Sequence, residues 1–442
     1  MKISLSDHFT YRKLLRFVAP SAVMMMFTSI YGVVDGLFVS NYVGKVPFAA
    51  INLVMPFIMI LGGIGFMIGT GGSALVSKTL GEGDRKKANR YFTMMIYLSL
   101  ICGAAASVIG FVFIRPISYL LGATDTMIGD CVEYGRMIFL FTTAFMMQNV
   151  FQSFLVTAEK PRLGLLATVG AGVTNMALDA WFIVGLGWGV KGAALATGIS
   201  QTVGGILPLI YFLRPNSSLL KITRTKLEGR PVFLAVTNGS SELMSNISAS
   251  VVSMIYNFQL MKFAGEDGVA AYGVLMYVQF VFIALFIGYA IGSAPIIGYH
   301  YGAINHSELK NMLKKSIIIM SISGVIMTLL AQALALPIAK VFVGYDEGLF
   351  DMTVHAFRVF SFSFILAGIN IFASSFFTAL NNGAVSAAIS FLRTLIFQST
   401  AVIVLPMIWE LDGIWLSITV AEVFALIISV TFLAAKKKKY NY

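Results

Sequence analysis

The chain has 442 residues, of which 58% are hydrophobic and only 12% carry a charge, far more apolar surface than a soluble core of this size can hide. Its formal net charge of +11 is scattered through short connections between apolar runs and forms no single patch, which argues against a nucleic-acid partner and for topology signals. Two cysteines, Cys102 and Cys131, give neither a disulfide framework nor a metal-ligand spacing, and the four histidines show no ligand spacing either.

The lead-in MKISLSDHFTYRKLLRF is basic and runs into a long apolar stretch with no small-residue cleavage site, so it reads as the start of an uncleaved first span and not as a signal peptide. Apolar runs long enough to cross a bilayer then recur at about 17–41, 47–77, 92–114, 131–157, 163–184, 190–213, 232–260, 268–298, 315–336, 352–378, 385–407 and 412–434. The fold class expected is an all-α polytopic membrane protein with twelve transmembrane helices. With the N-terminus inside, the inner connections hold 23 Lys and Arg and the outer ones five. That bias places both termini on the cytoplasmic side.

The second half falls on the first with a shift of 221 residues. Gly44 meets Gly265, Gly71 meets Gly292, Gly81 meets Gly302, Trp188 meets Trp409, and Gly192 meets Gly413. This is an internal duplication. Six spans per repeat is an even number, so both halves enter the membrane in the same direction. The two six-helix lobes are then related by a pseudo-two-fold axis along the membrane normal. The expected division is 1–214 for the N-terminal lobe, 215–231 for a basic cytoplasmic linker and 232–442 for the C-terminal lobe.

Charges inside the spans carry the functional signal, because each costs several kcal/mol in hydrocarbon unless it is paired or used. Glu133 and Arg136, spaced i,i+3, read as a local ion pair, Arg393 and Glu422 as a pair between neighbouring helices, and Arg358 as a snorkelling side chain. Asp35, Asp179 and Glu242 are left without an obvious partner. At 1.5 Å per residue Asp35 lies roughly 9 Å below the outer end of the first span, and Asp179 roughly 24 Å from the inner face on the fifth. Thr197 comes roughly 10 Å below the outer face on the sixth. Asn175 is one turn from Asp179 on the same helical face. Counting places Asn149 deeper, and Glu242 near the midplane of the seventh span. Pro20, fifteen residues before Asp35, removes a backbone donor and lets the first helix bend. The 23 methionines fit ordinary membrane packing or an adaptable pocket.

The first span with Pro20 and VDGLFVSNYVG, the connection SKTLGEGDRKKANRYF, its counterpart GYHYGAINHSELKNML and the duplication together resemble the multidrug and toxic compound extrusion (MATE) family. The likeness covers nearly the whole chain and is nearest to its DinF-like and MepA-like bacterial branch. It implies a coupling cation bound by Asp35, Asn175, Asp179 and Thr197, with Asn149 as a further polar member. It also implies H+ and/or Na+ as the coupling ion, Na+ falling on the first four of these residues, no other cofactor, and export of amphipathic cations by alternating access. Another branch adds a cation site on helices seven and ten. Here the tenth span offers Asn370 and no Asp, so Glu242 is assigned tentatively to contact with cationic substrate.

The remaining expectations are a monomer in a bacterial plasma membrane with no nucleic-acid partner, and no enzyme, since no Gly-rich phosphate loop, nucleophile elbow or zinc-protease pattern is present. The alternative is a lipid-linked oligosaccharide flippase of the wider superfamily. An anionic cargo of that kind calls for unpaired cations that Arg136, Arg358 and Arg393 do not supply. The topology predicts that cysteines introduced at Gly83 and Ser217 react with an impermeant maleimide only from the cytoplasmic side, and at Gly187 and Asp346 only from outside. Outside labelling at Ser217 sinks the parallel two-lobe arrangement.

Overall fold

The computed structural model describes residues 3–442, which form helices and, among the described residues, no strand. The helices are α1 (Tyr11–Tyr42), α2 (Lys45–Gly81), α3 (Arg85–Leu120), α4 (Ile128–Thr157), α5 (Pro161–Gly185) and α6 (Gly189–Leu213). A helical run over Gly229–Gly302 follows, interrupted at Gly265 by a left-handed φ of 62°. As one rod its 74 residues would measure roughly 110 Å, several times the hydrocarbon thickness. The rings of Tyr256 and Tyr272 nevertheless stack at 5.0 Å. The chain therefore reverses at Gly265, giving α7 (229–264) and α8 (266–302).

Beyond these lie α9 (His306–Val343) and α10, whose segments Glu347–Ser361 and Phe364–Ala379 meet at a 47° bend. The last two are α11 (Gly383–Val404) and α12 (Pro406–Tyr440), the latter kinked at Trp409 and Glu410. Each of the twelve expected spans thus has a helix. Several helices overrun their apolar runs, α9 starting nine residues before 315 and α3 seven before 92, because hydropathy marks only the part inside hydrocarbon. Side-chain caps start helices in both halves. The Asp84 carboxylate accepts the Lys87 N–H at 2.9 Å, and its repeat counterpart Asn305 accepts the Glu308 N–H at 3.1 Å.

The two halves meet through glycines, and the contacts exchange under the 221-residue shift. A Cβ on Gly81 would overlap the carbonyl of Tyr299, and one on Gly302 the carbonyl of Lys78. Lys78 and Tyr299 are themselves counterparts. Gly71 and Gly239 pack α2 against α7, while Gly288 and Gly292 pack α8 against Ser21, Ala22 and Val18 of α1. Reciprocal contacts of this kind are what a two-fold axis produces. Small residues let the backbones approach where lipid offers no hydrophobic drive.

The register is not uniform. α4 ends with a left-handed Glu159 (φ 60°) and α10 with a left-handed Asn381 (φ 57°), a separation of 222. The extra residue lies upstream of Asn381, where the break in α10 between Ser361 and Phe364 can absorb it.

One expected ion pair is absent. Glu133 reaches Lys191 at the start of α6, 3.2 Å away, and Arg136 lies over the Phe111 ring of α3 at 5.4 Å. Residues three apart are neighbours on a helix, but here α4 is flanked on both sides and each side chain turns to a different neighbour. Arg393 and Glu422 do pair, with Nη2 to Oε1 at 2.7 Å, and Arg358 is exposed.

Gly302→Val should push α8 off the Lys78 carbonyl, an overpacking cost of about 1–3 kcal/mol. The melting midpoint of the purified protein should fall accordingly. Gly170→Val, on α5 with no atom within 4 Å of an added Cβ, should lower it less, and equal losses would show that the close approach is unimportant.

Candidate functional site

α1, α5 and α6 converge on one polar cluster. Asp35 sits seven residues before the end of α1, and Asp179 is the last residue of the α-helical part of α5, beyond which Ala180–Gly185 widen into a π-helical turn. Such turns recur at functional positions because they rotate the side chains beyond them out of the α-helical register. Asn175, at i−4 from Asp179, shares its face. The Asn175 amide and the Thr197 hydroxyl each stand 3.5 Å from Asp35 Oδ1. The carboxyls of Asp35 and Asp179 are close neighbours in this cluster.

Burial sharpens the point. Asp179 is fully buried and Asn175 is 1% exposed. Among the described residues no N–H or O–H donor reaches either Asp179 oxygen or the Asn175 Oδ1. Unsatisfied buried oxygens are rare and costly. Their grouping makes an all-oxygen cradle of two carboxyls, an amide and a hydroxyl, suited to a proton or to Na+. No group of three His, Cys, Asp or Glu side chains among the described residues forms a transition-metal site.

Asn149 is not brought to this cluster. Its amide donates to the Gly62 carbonyl of α2 at 3.2 Å, so it belongs to the α2–α4 interface. The neighbouring position, about 100° round the helix, faces the site instead. Gln148 lies near Tyr31, and its side chain packs on Gly204 of α6. Tyr31 is near Asp35, and the buried Tyr134 of α4 is near both carboxyls. Sequence reasoning missed these three. Tyr31, one turn before Asp35 on the same face, was the one it could have reached.

Pro20 lies within α1, which is helical without interruption from Tyr11 to Tyr42. It is roughly 22 Å from Asp35 along the axis, between the Val18 and Ala22 contacts with α8. Glu242 is on α7 where that helix crosses α2, between the Gly239 contact with Met67 and the Asn246 contact with Gly63. None of the ion pairs among the described residues includes it.

Known proteins resemble this chain over nearly its whole length. The chain is 27% identical over 432 residues to the multidrug export protein MepA of Staphylococcus haemolyticus, covering 93% of this chain and 90% of that one. It is 24% identical over 413 residues to the MepA of Staphylococcus saprophyticus, covering 92% and 88%. A solved structure described as the outward-facing conformation of a multidrug resistance MATE family transporter superposes with a TM-score of 0.93 at 22% identity, covering 98% of this chain and 97% of the other. The MatE family model matches twice, over residues 20–181 and again over 243–403, once in each repeat. The chain, a twelve-helix membrane protein built of two such repeats, belongs to the MatE family.

Proposed function

We propose that this protein is a multidrug exporter that exchanges an inward-moving cation, H+ or Na+, for an outward-moving amphipathic compound, most readily a cationic one. The observation that carries the reading is the pairing of a half-buried Asp35 with a fully buried Asp179, ringed by neutral donors and by oxygens that have no donor of their own. Two carboxyls this close cannot both stay ionised unless a positive charge lies between them. A shared proton satisfies that demand, and so does Na+ held with Asn175 and Thr197. A cationic substrate elsewhere in the cavity satisfies it indirectly, and competition between cation and substrate is the physical basis of exchange. The membrane potential adds about 2.3 kcal/mol for each elementary charge moved inward per 100 mV.

In this reading residues 1–214 and 232–442 are the moving lobes, 215–231 is the cytoplasmic linker, and the protein works as a monomer in the plasma membrane with both termini in the cytoplasm. Glu242 contacts the positive group of the substrate. Pro20 gives α1 a place to bend, because the Arg16 carbonyl has no ladder partner there. An anionic cargo is disfavoured, since Arg393 is paired and Arg136 is engaged by Phe111.

Asp35→Asn and Asp179→Asn should each leave an inserted, folded protein, because an amide costs less to bury than an acid. Ethidium efflux from inverted vesicles, energised in turn by a pH gradient and a Na+ gradient, should fall to background in both. The double variant should be little worse, since groups acting as a unit are non-additive. Wild-type rates in both single variants under either gradient would remove this site and turn attention to Glu242. For the hinge, Pro20→Ala should slow efflux while leaving equilibrium substrate binding nearly unchanged. Unaltered efflux shows that the bend is not used.

A further inference from the structure

The repeat relation locates the C-terminal counterparts of α1, α4 and α6 around the Asp35 site. α1 and α7 end at Gly44 and Gly265, both with positive φ and 221 residues apart, so Asp35 corresponds to Tyr256. The straight parts of α6 and α12 follow Gly189 and Glu410, again with positive φ and 221 apart. Thr197 therefore corresponds to Ile418, and Gln201 to Glu422. With the 222-residue register of α4 and α10, Gln148 corresponds to Asn370. The counterpart has thus lost the carboxylate of α1 and the hydroxyl of α6. Its acid is Glu422, one turn beyond Ile418.

Glu422 is 1% exposed and fully engaged. Arg393, in the π-helical turn Leu392–Phe397 of α11, donates from Nε to Oε1 at 2.9 Å and to Oε2 at 3.1 Å, and from Nη2 to Oε1 at 2.7 Å. Asn370 donates to Oε2 at 2.7 Å and to the Glu422 carbonyl at 3.0 Å, and is itself held by the Ser429 hydroxyl at 3.0 Å. Tyr256, the other titratable group beside Glu422, is bonded to Ser417 at 2.6 Å. Where Asp179 keeps two oxygens with no donor, Glu422 has a guanidinium across both of its own.

We infer that Arg393 is a built-in counter-cation, so that the C-terminal counterpart of the Asp35 site binds no exchangeable ion and the coupling cation does not pass through it. A guanidinium stays charged at any accessible pH and cannot leave. Together Arg393 and Glu422 carry no net charge, so the membrane potential does no work on them when their half moves. Removing the guanidinium strands a carboxylate in a dry interior, and that carboxylate then takes one proton from solvent to form a neutral acid. Arg393→Met should therefore create a second exchangeable-proton site where the wild type has none.

The inference rests on the proposed coupling role of Asp35 and Asp179, and the test has two arms that fail separately. In the first, pH-difference infrared spectra of purified protein are compared for the wild type, Arg393→Met and the double variant Arg393→Met with Glu422→Gln. Arg393→Met should show an additional protonated-carboxyl band that the double variant lacks, whatever the protein transports. Absence of that band in folded Arg393→Met overturns the inference. In the second arm, cation-driven ethidium efflux by the double variant should stay within about twofold of the wild type, because exchanging a buried ion pair for uncharged groups is often close to neutral. Efflux lost in a folded, monodisperse double variant places the pair in the coupling path and overturns the inference. Should Arg393→Met alone fail to fold, the double variant still decides.

Discussion

Two neighbouring carboxyls inside a bilayer impose the constraint on which the rest of this molecule depends. Like charges about 4 Å apart repel by about 4 kcal/mol at an effective dielectric constant of 20, before the cost of burial is added. Asp35 and Asp179 can share a site only with a positive charge or a proton between them. Every group near them is compatible with a mobile cation. Asn175 and Thr197 present neutral polar atoms at 3.5 Å, and the phenols of Tyr31 and Tyr134 lie nearby. A resident cation here would neutralise the pair permanently.

Glycine supplies the second feature, a close joint between the halves. Gly71, Gly81, Gly239 and Gly302 bring backbone onto backbone between α2 and the α7–α8 pair, so the joint rests largely on shape. Surfaces of this kind hold by close packing and leave few polar groups stranded when they part. Neither Asp35 nor Asp179 belongs to that joint. The site lies within one half, on α1, α5 and α6.

Much of the architecture was legible in the sequence because the bilayer imposes a length and a hydropathy on each span. The reversal at Gly265 could be read from its repeat partner Gly44, even though the backbone there is helical on both sides. Asp35 and Asp179 stood out as unpaired acids in apolar runs. The likeness to transporters then added Asn175 and Thr197, and all four come together. Asn149 failed for a reason of geometry. Counting residues fixes depth to a few ångströms but not rotation about the helix axis, and one residue is about 100°. Gln148 therefore faces the site while Asn149 faces α2. Glu133 failed likewise, since helical spacing states which neighbour is within reach and not which nearby helix offers a better one.

The fate of the duplicated site follows from what symmetry does and does not constrain. Contacts across the pseudo-two-fold axis must remain complementary, which is why Gly81 and Gly302 are both still glycine. Residues buried within one half face no such demand and can diverge. In the N-terminal half a π-helical turn follows the acid Asp179, and in the C-terminal half one contains the base Arg393. A π turn sacrifices regular hydrogen bonding, so it persists where the rotated side chains repay the loss. On α5 that rotation accompanies a carboxyl whose oxygens have no donor, and on α11 a guanidinium that, together with Asn370, engages both carboxylate oxygens of Glu422. One fold thereby holds two electrostatic solutions, a pair of acids that needs a cation from outside and an acid whose cation is covalently part of the chain.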